Sequence, residues 1–100
     1  MSLTPRNNVR TWQFKSQFAQ LPKEVRKLAT IAYQQFLTDP THPSLRLHAL
    51  HENRRGHHRP GSFSVSITRK YRAIYLENSG TIVWYWIGSH SDYNSFTGVS

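Results

Sequence analysis

The residues best suited to chemistry lie within and directly after two strand-like runs in the second half of the chain. Arg72 is a charged residue inside the first run, Tyr71–Glu77. His90 and Tyr93 follow the second run, Thr81–Ile87, at the point where a strand is expected to end. Arginine can hold two phosphate oxygens at once, and histidine can give or take a proton near neutral pH. These residue types could therefore act together on a phosphate ester.

The second run is expected to form the central strand of a sheet, because a strand that is apolar on both faces is usually covered on both. Simple alternation predicts two apolar faces: Ile82, Trp84 and Trp86 on one side, and Val83, Tyr85 and Ile87 on the other. A turn at Asn78–Gly80 joins this run to the first as a hairpin. The two tryptophans are therefore expected to be core residues rather than surfaces that stack on bases.

Hydrophobic periodicity predicts the elements around this hairpin. The clearest helix starts at Pro22, stops at Asp39-Pro40 and has one apolar stripe: Val25, Leu28, Ala29, Ala32, Tyr33 and Phe36. The strand Ser62–Thr68 points its apolar residues inward and its hydroxyl residues outward. Three further elements are an edge strand at Val9–Phe14, a helical turn at Ser16–Leu21 and a strand at Ser44–His51. The ends of the chain are expected to be a loose leader, Met1–Asn8, and a frayed tail, Thr97–Ser100.

The predicted fold class is α+β, in a single domain that spans residues 1–100. Helices from the N-terminal part cover one face of a twisted, mostly antiparallel sheet. The opposite face is expected to be partly bare and to carry basic and hydroxyl side chains: Arg46, His48, Ser64, Ser66 and Arg72. Such a face could dock a phosphate backbone.

Charge narrows the choice of partners, since 13 Lys and Arg residues against 5 Asp and Glu residues give a net charge of +8. An excess of this size favours polyanions, with nucleic acid first and an acidic protein second. The polar loop Glu52–Gly61, here called the basic loop, contains several of these basic residues. Its basic and histidine side chains are expected to contact RNA phosphates or an acidic partner: Arg54, Arg55, His57, His58 and Arg59.

Composition excludes several other classes of protein. No run of about 18 apolar residues could span a membrane, and Met1–Arg10 lacks the apolar core of a secretory signal. The chain has no cysteine, so it has no disulfide framework and no thiolate zinc site. Its histidines have no clustered carboxylates to complete a metal site. We therefore expect a cytoplasmic protein without a metal or a cofactor.

Four features in this order resemble the RelE/ParE superfamily of small bacterial toxins, most closely its RelE/HigB/YafQ-like branches. They are Phe36–Pro40, Pro43–His48, the strand pair Phe63–Ile67 and Tyr71–Tyr75, and Ile87–Tyr93. The resemblance implies helices packed on one face of a small curved, mostly antiparallel sheet. It also implies a toxin that an antitoxin protein neutralises by wrapping around it. Many members of the superfamily cut mRNA in the ribosomal A site, whereas ParE members inhibit DNA gyrase.

The resemblance implies roles for individual residues as well. Arg72 matches the arginine with which cleaving members hold the scissile phosphate. His90 or Tyr93 matches the position used for proton transfer, and His48 is the candidate for the other proton step. Two positions where RelE has basic residues carry hydroxyls here, Ser64 and Ser66. The replacement charge would come from the neighbouring strand or the basic loop, through Arg46 and His48 or through His57 and His58.

We therefore expect a metal-independent endoribonuclease that cuts mRNA on the 70S ribosome through attack of the 2′-hydroxyl, leaving a cyclic phosphate. Two alternatives remain, a ParE-like gyrase inhibitor without chemistry and a basic RNA-binding module without toxicity. The residues also have plainer interpretations. Arg72 could pair with Glu77 or Asp92, Tyr93 could be a packing residue, and His48 and His90 could be ordinary surface histidines.

Overall fold

The computed structural model describes residues 7–52 and 54–98, which form an α+β fold. The elements in chain order are strand β1, helices α1 and α2, a short 3₁₀ turn, strands β2 to β5, and helix α3. Their bounds are Asn7–Arg10, Trp12–Ala19, Lys23–Thr38, Pro43–Leu45, His48–Ala49, Ser62–Thr68, Tyr71–Asn78, Thr81–Ser89 and His90–Thr97. The strands lie in the order β1-β5-β4-β3-β2. Only β1 is parallel to its neighbour, so the predicted mostly antiparallel sheet is confirmed.

Strand β5 lies inside the sheet, between β1 and β4, and is buried on both faces as predicted, but its faces are not the ones that alternation assigns. Trp84 is paired with Tyr75 and Trp86 with Ile74, so Tyr85 has no partner on β4 and forms a bulge. Beyond the bulge the alternation is reversed. Trp84 faces the same core as Ile82 and Ile87, whereas Tyr85 and Trp86 both belong to a second core on the other side.

The first core lies between the sheet and the two N-terminal helices. Phe36 of α2 meets the rings of Tyr75 and Trp84 edge-on, with centroids 5.3 and 5.1 Å apart. Phe14 of α1 joins the same cluster. Helix α2 ends at Thr38 as expected, but its buried stripe is narrower than predicted, since Leu28 is exposed on the flank of the helix.

The start of the chain differs from the sequence prediction after Arg10. Thr11 caps a helix instead of continuing a strand, because its side-chain oxygen accepts a hydrogen bond from the Phe14 N–H at 3.1 Å. Helix α1 thus replaces both the second half of the predicted strand Val9–Phe14 and the predicted turn Ser16–Leu21. Asn7 and Asn8 lie in β1 and are not part of a loose leader, and residues 1–6 lie outside the described residues.

The predicted strand Ser44–His51 is wrong except at His48 and Ala49. Pro43 favours a tight turn, and Arg46 then takes a left-handed conformation with φ 45° and ψ 43°. Leu45 is buried through this turn and not through a strand. Within the predicted strand, only the two residues of β2 are paired with β3.

The second core is covered by α3, a helix that the sequence analysis did not predict. Ser89 caps its start by accepting a hydrogen bond from the Asp92 N–H at 3.1 Å, and Gly98 ends it with φ 77°. Thr97 is only 2% exposed and donates to the Tyr93 carbonyl at 2.8 Å. The predicted frayed tail is therefore wrong at Thr97, while residues 99 and 100 lie outside the described residues.

Candidate active site

Sheet register places Arg72 directly beneath α3. On β4 it is paired with Ser66 on one side and Gly88 on the other. The Trp86 ring lies across Gly88, where an added Cβ would be 2.9 Å from the ring. The guanidinium carbon of Arg72 lies 5.2 Å from the centroid of the Tyr93 ring, within range of a cation–π interaction.

Two nitrogens of Arg72, Nε and Nη1, are buried and have no hydrogen-bond partner. A buried guanidinium nitrogen without a partner is costly, since each N–H that leaves water normally finds an acceptor. Glu77 lies five residues along β4 and on the opposite face, so Arg72 does not pair with Glu77. A guanidinium with unpaired donors is a group that binds phosphate oxygens when they reach it.

His90 and Tyr93 stand three residues apart on α3 and so face the same side of the helix. Their ring centroids are 5.9 Å apart. The His90 Nδ1 lies 3.3 Å from the amide nitrogen of Asn94, which donates to it and leaves the proton of the neutral ring on Nε2. The backbone N–H of His90 donates to the Lys70 carbonyl at 2.6 Å, so the start of α3 is attached to the turn between β3 and β4.

His48 approaches the same tyrosine from β2. Its Nδ1 donates to the Arg46 carbonyl at 2.9 Å, which leaves Nε2 as the acceptor. The Tyr93 hydroxyl lies 3.5 Å from that Nε2. Tyr93 is itself only 6% exposed, so it is both a packing residue and the common neighbour of the other three side chains. We call Arg72, His90, Tyr93 and His48 the tyrosine cluster.

The predicted bare face of the sheet is wrong, because α3 and its second core cover it. Ser64 is fully buried and Ser66 nearly so. The Ser66 hydroxyl donates to the Thr68 carbonyl at 3.0 Å, whereas the Ser64 hydroxyl has no partner. Arg46 is exposed but belongs to the turn before β2, so it does not stand on the sheet face as predicted.

The basic loop lies next to the C-terminal half of α3. The His57 N–H donates to the Phe96 carbonyl at 2.6 Å, and the His58 Nε2 lies 2.7 Å from the His51 carbonyl. His58 is half-buried, while Arg54, Arg55, His57 and Arg59 are exposed. Charge is therefore available on this loop, close to the helix that carries His90 and Tyr93.

Tyr85 anchors the end of this loop, a role that the sequence analysis missed. Its hydroxyl accepts from the Arg59 N–H at 2.9 Å and lies 2.6 Å from the Ser62 hydroxyl, which in turn donates to the Arg59 carbonyl. The Arg59 guanidinium also lies 5.5 Å from the Tyr85 ring centroid. A hydroxyl in an otherwise apolar strand was the only signal in the sequence. The pattern Ser89-x-x-Asp92 was a clearer missed signal, because it marks a helix start.

No metal centre is found in the described part of the chain, where no three His, Asp or Glu side chains lie close enough to share an ion. Within residues 7–52 and 54–98, no helix is long and apolar enough to cross a membrane. The side chains of the tyrosine cluster can supply proton transfer by imidazole and charge stabilisation by guanidinium.

A family model described as the ParE-like toxin domain matches residues 23–95, which include the whole tyrosine cluster. The chain belongs to this family. The resemblance to the RelE/ParE superfamily is confirmed, and the protein is a toxin-type member of a toxin–antitoxin family. Comparison with curated protein sequences finds none that matches this ParE-like toxin.

Solved structures share the fold of this ParE-like toxin at low sequence identity. The DinJ–YafQ toxin–antitoxin complex of E. coli matches with a TM-score of 0.67 and 15% identity, over 89% of this chain and 97% of the other. The archaeal RelE–RelB complex of Pyrococcus horikoshii matches with 0.63 and 13%, over 86% and 96%. The YoeB dimer of Staphylococcus aureus matches with 0.64 and 15%, over 87% and 99%.

Proposed function

We propose that this ParE-like toxin is a ribosome-dependent mRNA endonuclease that needs no metal ion. The observation that carries the proposal is the tyrosine cluster: an arginine with two unpaired buried nitrogens and two histidines gathered around one tyrosine. A packing arrangement alone would not favour unpaired guanidinium nitrogens, because burying them without an acceptor costs stability.

In this mechanism one imidazole takes the proton of the 2′-hydroxyl, and the 2′-oxygen forms a bond to the adjacent phosphorus. Arg72 holds the phosphate oxygens and stabilises the charge that develops on them. The bond from phosphorus to the 5′-oxygen breaks, and the second imidazole gives that oxygen a proton. The products are a 2′,3′-cyclic phosphate and a 5′-hydroxyl. His48 and His90 are the two proton-transfer groups, and Tyr93 positions both.

Dependence on the ribosome follows from what the cluster lacks. The cluster supplies proton transfer and one cation, but the strand beside Arg72 carries the uncharged and buried Ser64 and Ser66, which add no second cation to orient the substrate. A ribosome that fixes the mRNA would supply this orientation, and correct positioning can account for a large part of a rate enhancement. The basic loop, with Arg54, Arg55 and Arg59, would then contact ribosomal RNA. Action on ribosomes also implies a cytoplasmic protein.

An antitoxin protein is the expected second partner. The structural neighbours from E. coli and P. horikoshii are complexes of a toxin with DinJ-type and RelB-type partners. The net charge of +8 favours an acidic partner for this chain as well.

The test is primer extension on mRNA from cells that express the protein. Wild type should produce sharp cleavage sites, and Arg72→Ala and His90→Ala should each reduce cleavage at least 100-fold, the usual scale for loss of charge stabilisation or of a proton-transfer group, roughly 10²–10⁴. Matched controls are Arg69→Ala and His51→Ala, which remove an exposed arginine and an exposed histidine elsewhere. Intact mRNA in arrested wild-type cells would exclude the nuclease.

Gyrase inhibition is the second candidate, favoured by the match to the ParE-like toxin model. It is a binding activity and requires no proton transfer, so His90→Ala should still arrest growth. Purified protein would then block supercoiling by DNA gyrase in vitro, and cells would show DNA damage with intact mRNA. Absence of any effect on supercoiling at micromolar protein would exclude this candidate.

A further inference from the structure

Trp12 is the most exposed of the large apolar side chains that the structure describes. Its side chain is 82% exposed, whereas Trp84 and Trp86 are 5% and 4% exposed. Tryptophan has a large apolar ring and a polar N–H, so an exposed one offers a binding partner much area to bury. It lies before residue 23, where the match to the family model begins, so that match does not include it.

The position of Trp12 is fixed by the elements on both sides of it. Arg10 is paired in parallel with Trp84, and the Thr11 N–H donates to the Trp84 carbonyl at 3.0 Å. Thr11 also caps α1 through the Phe14 N–H, and Phe14 is buried. Trp12 is therefore the first residue of a capped helix whose start is attached to β5. A rigid aromatic ring loses little entropy when it binds a flat partner.

The charged residues near Trp12 in the sequence are all basic. The first acidic residue of the chain is Glu24, and four basic residues precede it: Arg6, Arg10, Lys15 and Lys23. Lys15 is three residues after Trp12 on α1 and lies on the same side of the helix, and both Arg10 and Lys15 are exposed. An exposed aromatic ring with adjacent cations is the arrangement that binds an unpaired nucleotide, by stacking on the base and attracting the phosphate.

We propose that Trp12, with Arg10 and Lys15, is a second RNA contact that stacks on an unpaired base of ribosomal RNA. This inference deepens the proposed function and rests on it. Trp12 follows β1 at one edge of the sheet, and His48 lies on β2 at the other edge. Two contacts at opposite edges would fix the orientation of the protein on the ribosome, and thereby direct the tyrosine cluster at the mRNA.

The first experiment measures binding of purified protein to vacant 70S ribosomes and to a 12-nucleotide uridine RNA. Trp12→Ala should weaken both affinities 5- to 50-fold, and Trp12→Phe should retain most of the binding because it keeps a stacking ring. Ile31→Ala is the matched control, since it removes another exposed apolar side chain on α2. Lys15→Gln should reduce the salt dependence of binding.

Tryptophan fluorescence provides a direct readout. Because the other two tryptophans are buried, acrylamide should quench mainly Trp12, and the uridine RNA should protect it. In Trp12→Phe the remaining emission should not respond to RNA. Equal binding by wild type and Trp12→Ala would overturn the inference, as would loss only of co-purification with the antitoxin partner, since the ring would then bind protein.

Failure of this inference can be distinguished from failure of the proposed function. If wild type binds ribosomes through Trp12 but cuts no mRNA, the nuclease proposal fails and the contact stands. If Trp12→Ala binds normally while His90→Ala abolishes cleavage, the contact fails and the nuclease stands. If wild type binds neither ribosomes nor the uridine RNA, the contact is excluded outright. Where cleavage is measured, Trp12→Ala should lower kcat/KM by at least the factor by which it weakens ribosome binding.

Discussion

At the scale of single residues, Arg72 has a functional side chain in a position that is poor for stability. Two of its nitrogens are buried without hydrogen-bond partners, and its one described favourable contact is with the Tyr93 ring. Natural proteins keep buried polar groups without partners mainly at functional sites, where a bound ligand can pair with them. Activity should therefore fall far more than stability when this side chain is changed.

Arg72→Met tests this difference. Methionine fills similar space without charge, so the free energy of unfolding should fall by no more than about 1 kcal/mol, the approximate value of the lost cation–π contact. Cleavage should fall at least 100-fold, because the phosphate loses its cation. Urea unfolding and primer extension measure the two effects, with Arg69→Met as the control. A loss of several kcal/mol would mean that the arginine is a structural residue.

Two buried serines of β3 form a matched pair for a second prediction. The Ser64 hydroxyl has no partner, whereas the Ser62 hydroxyl contacts both the Tyr85 hydroxyl and the Arg59 carbonyl at 2.6 Å. Ser64→Ala should leave the free energy of unfolding unchanged or slightly higher, while Ser62→Ala should lower it by about 1–3 kcal/mol. Urea denaturation of both variants checks this difference. Equal losses would show that Ser64 has a partner after all.

At the scale of elements, α3 decides whether the tyrosine cluster exists, since it carries two of the four residues. Its start is fixed by the Ser89 cap and by the hydrogen bond from the His90 N–H to the Lys70 carbonyl. Its inner face is fixed by Tyr93 and Phe96 against Trp86. A helix of eight residues has little stability alone, so these contacts hold it in place.

Ser89→Ala should therefore affect both stability and activity. Loss of an N-cap side chain costs about 1 kcal/mol, and fraying of the first turn would displace His90. We expect cleavage to fall several-fold with the mRNA sites unchanged. Ser91→Ala is the control, because it changes an exposed serine of the same helical turn. Faster hydrogen exchange at the α3 amides in Ser89→Ala alone would support this account, and unchanged exchange would contradict it.

At the scale of the whole molecule, the net charge of +8 predicts how the protein meets the ribosome. Each phosphate contact releases a counterion, so affinity should fall steeply with salt. With about three to five phosphate contacts, the Kd for 70S ribosomes should rise roughly 10- to 500-fold between 50 and 200 mM monovalent salt. Sedimentation binding across this range measures the slope. An affinity independent of salt would exclude binding driven by charge.

The sequence alone was sufficient for the properties that depend on local pattern and composition. Local periodicity was enough to predict α2 and the two hairpins formed by β3, β4 and β5. A count of charged residues was enough to predict a polyanionic partner. Arg72 was identifiable because a charge in a strand is unusual, and His90 and Tyr93 because they follow a strand end. The α+β fold class and the family followed from these features in order.

Tertiary structure decided the features that depend on which residues meet across the sheet. The bulge at Tyr85 reverses the alternation of β5, so the residues after Trp84 face the side opposite to the predicted one. Helix α3 covers the face on which alternation had placed exposed serines. The sequence analysis named His48 as a candidate for the same site, but its contact with Tyr93 depends on the fold, since 45 residues separate them. Strand register and helix docking are set by the fit of the whole core, and no local pattern contains that information.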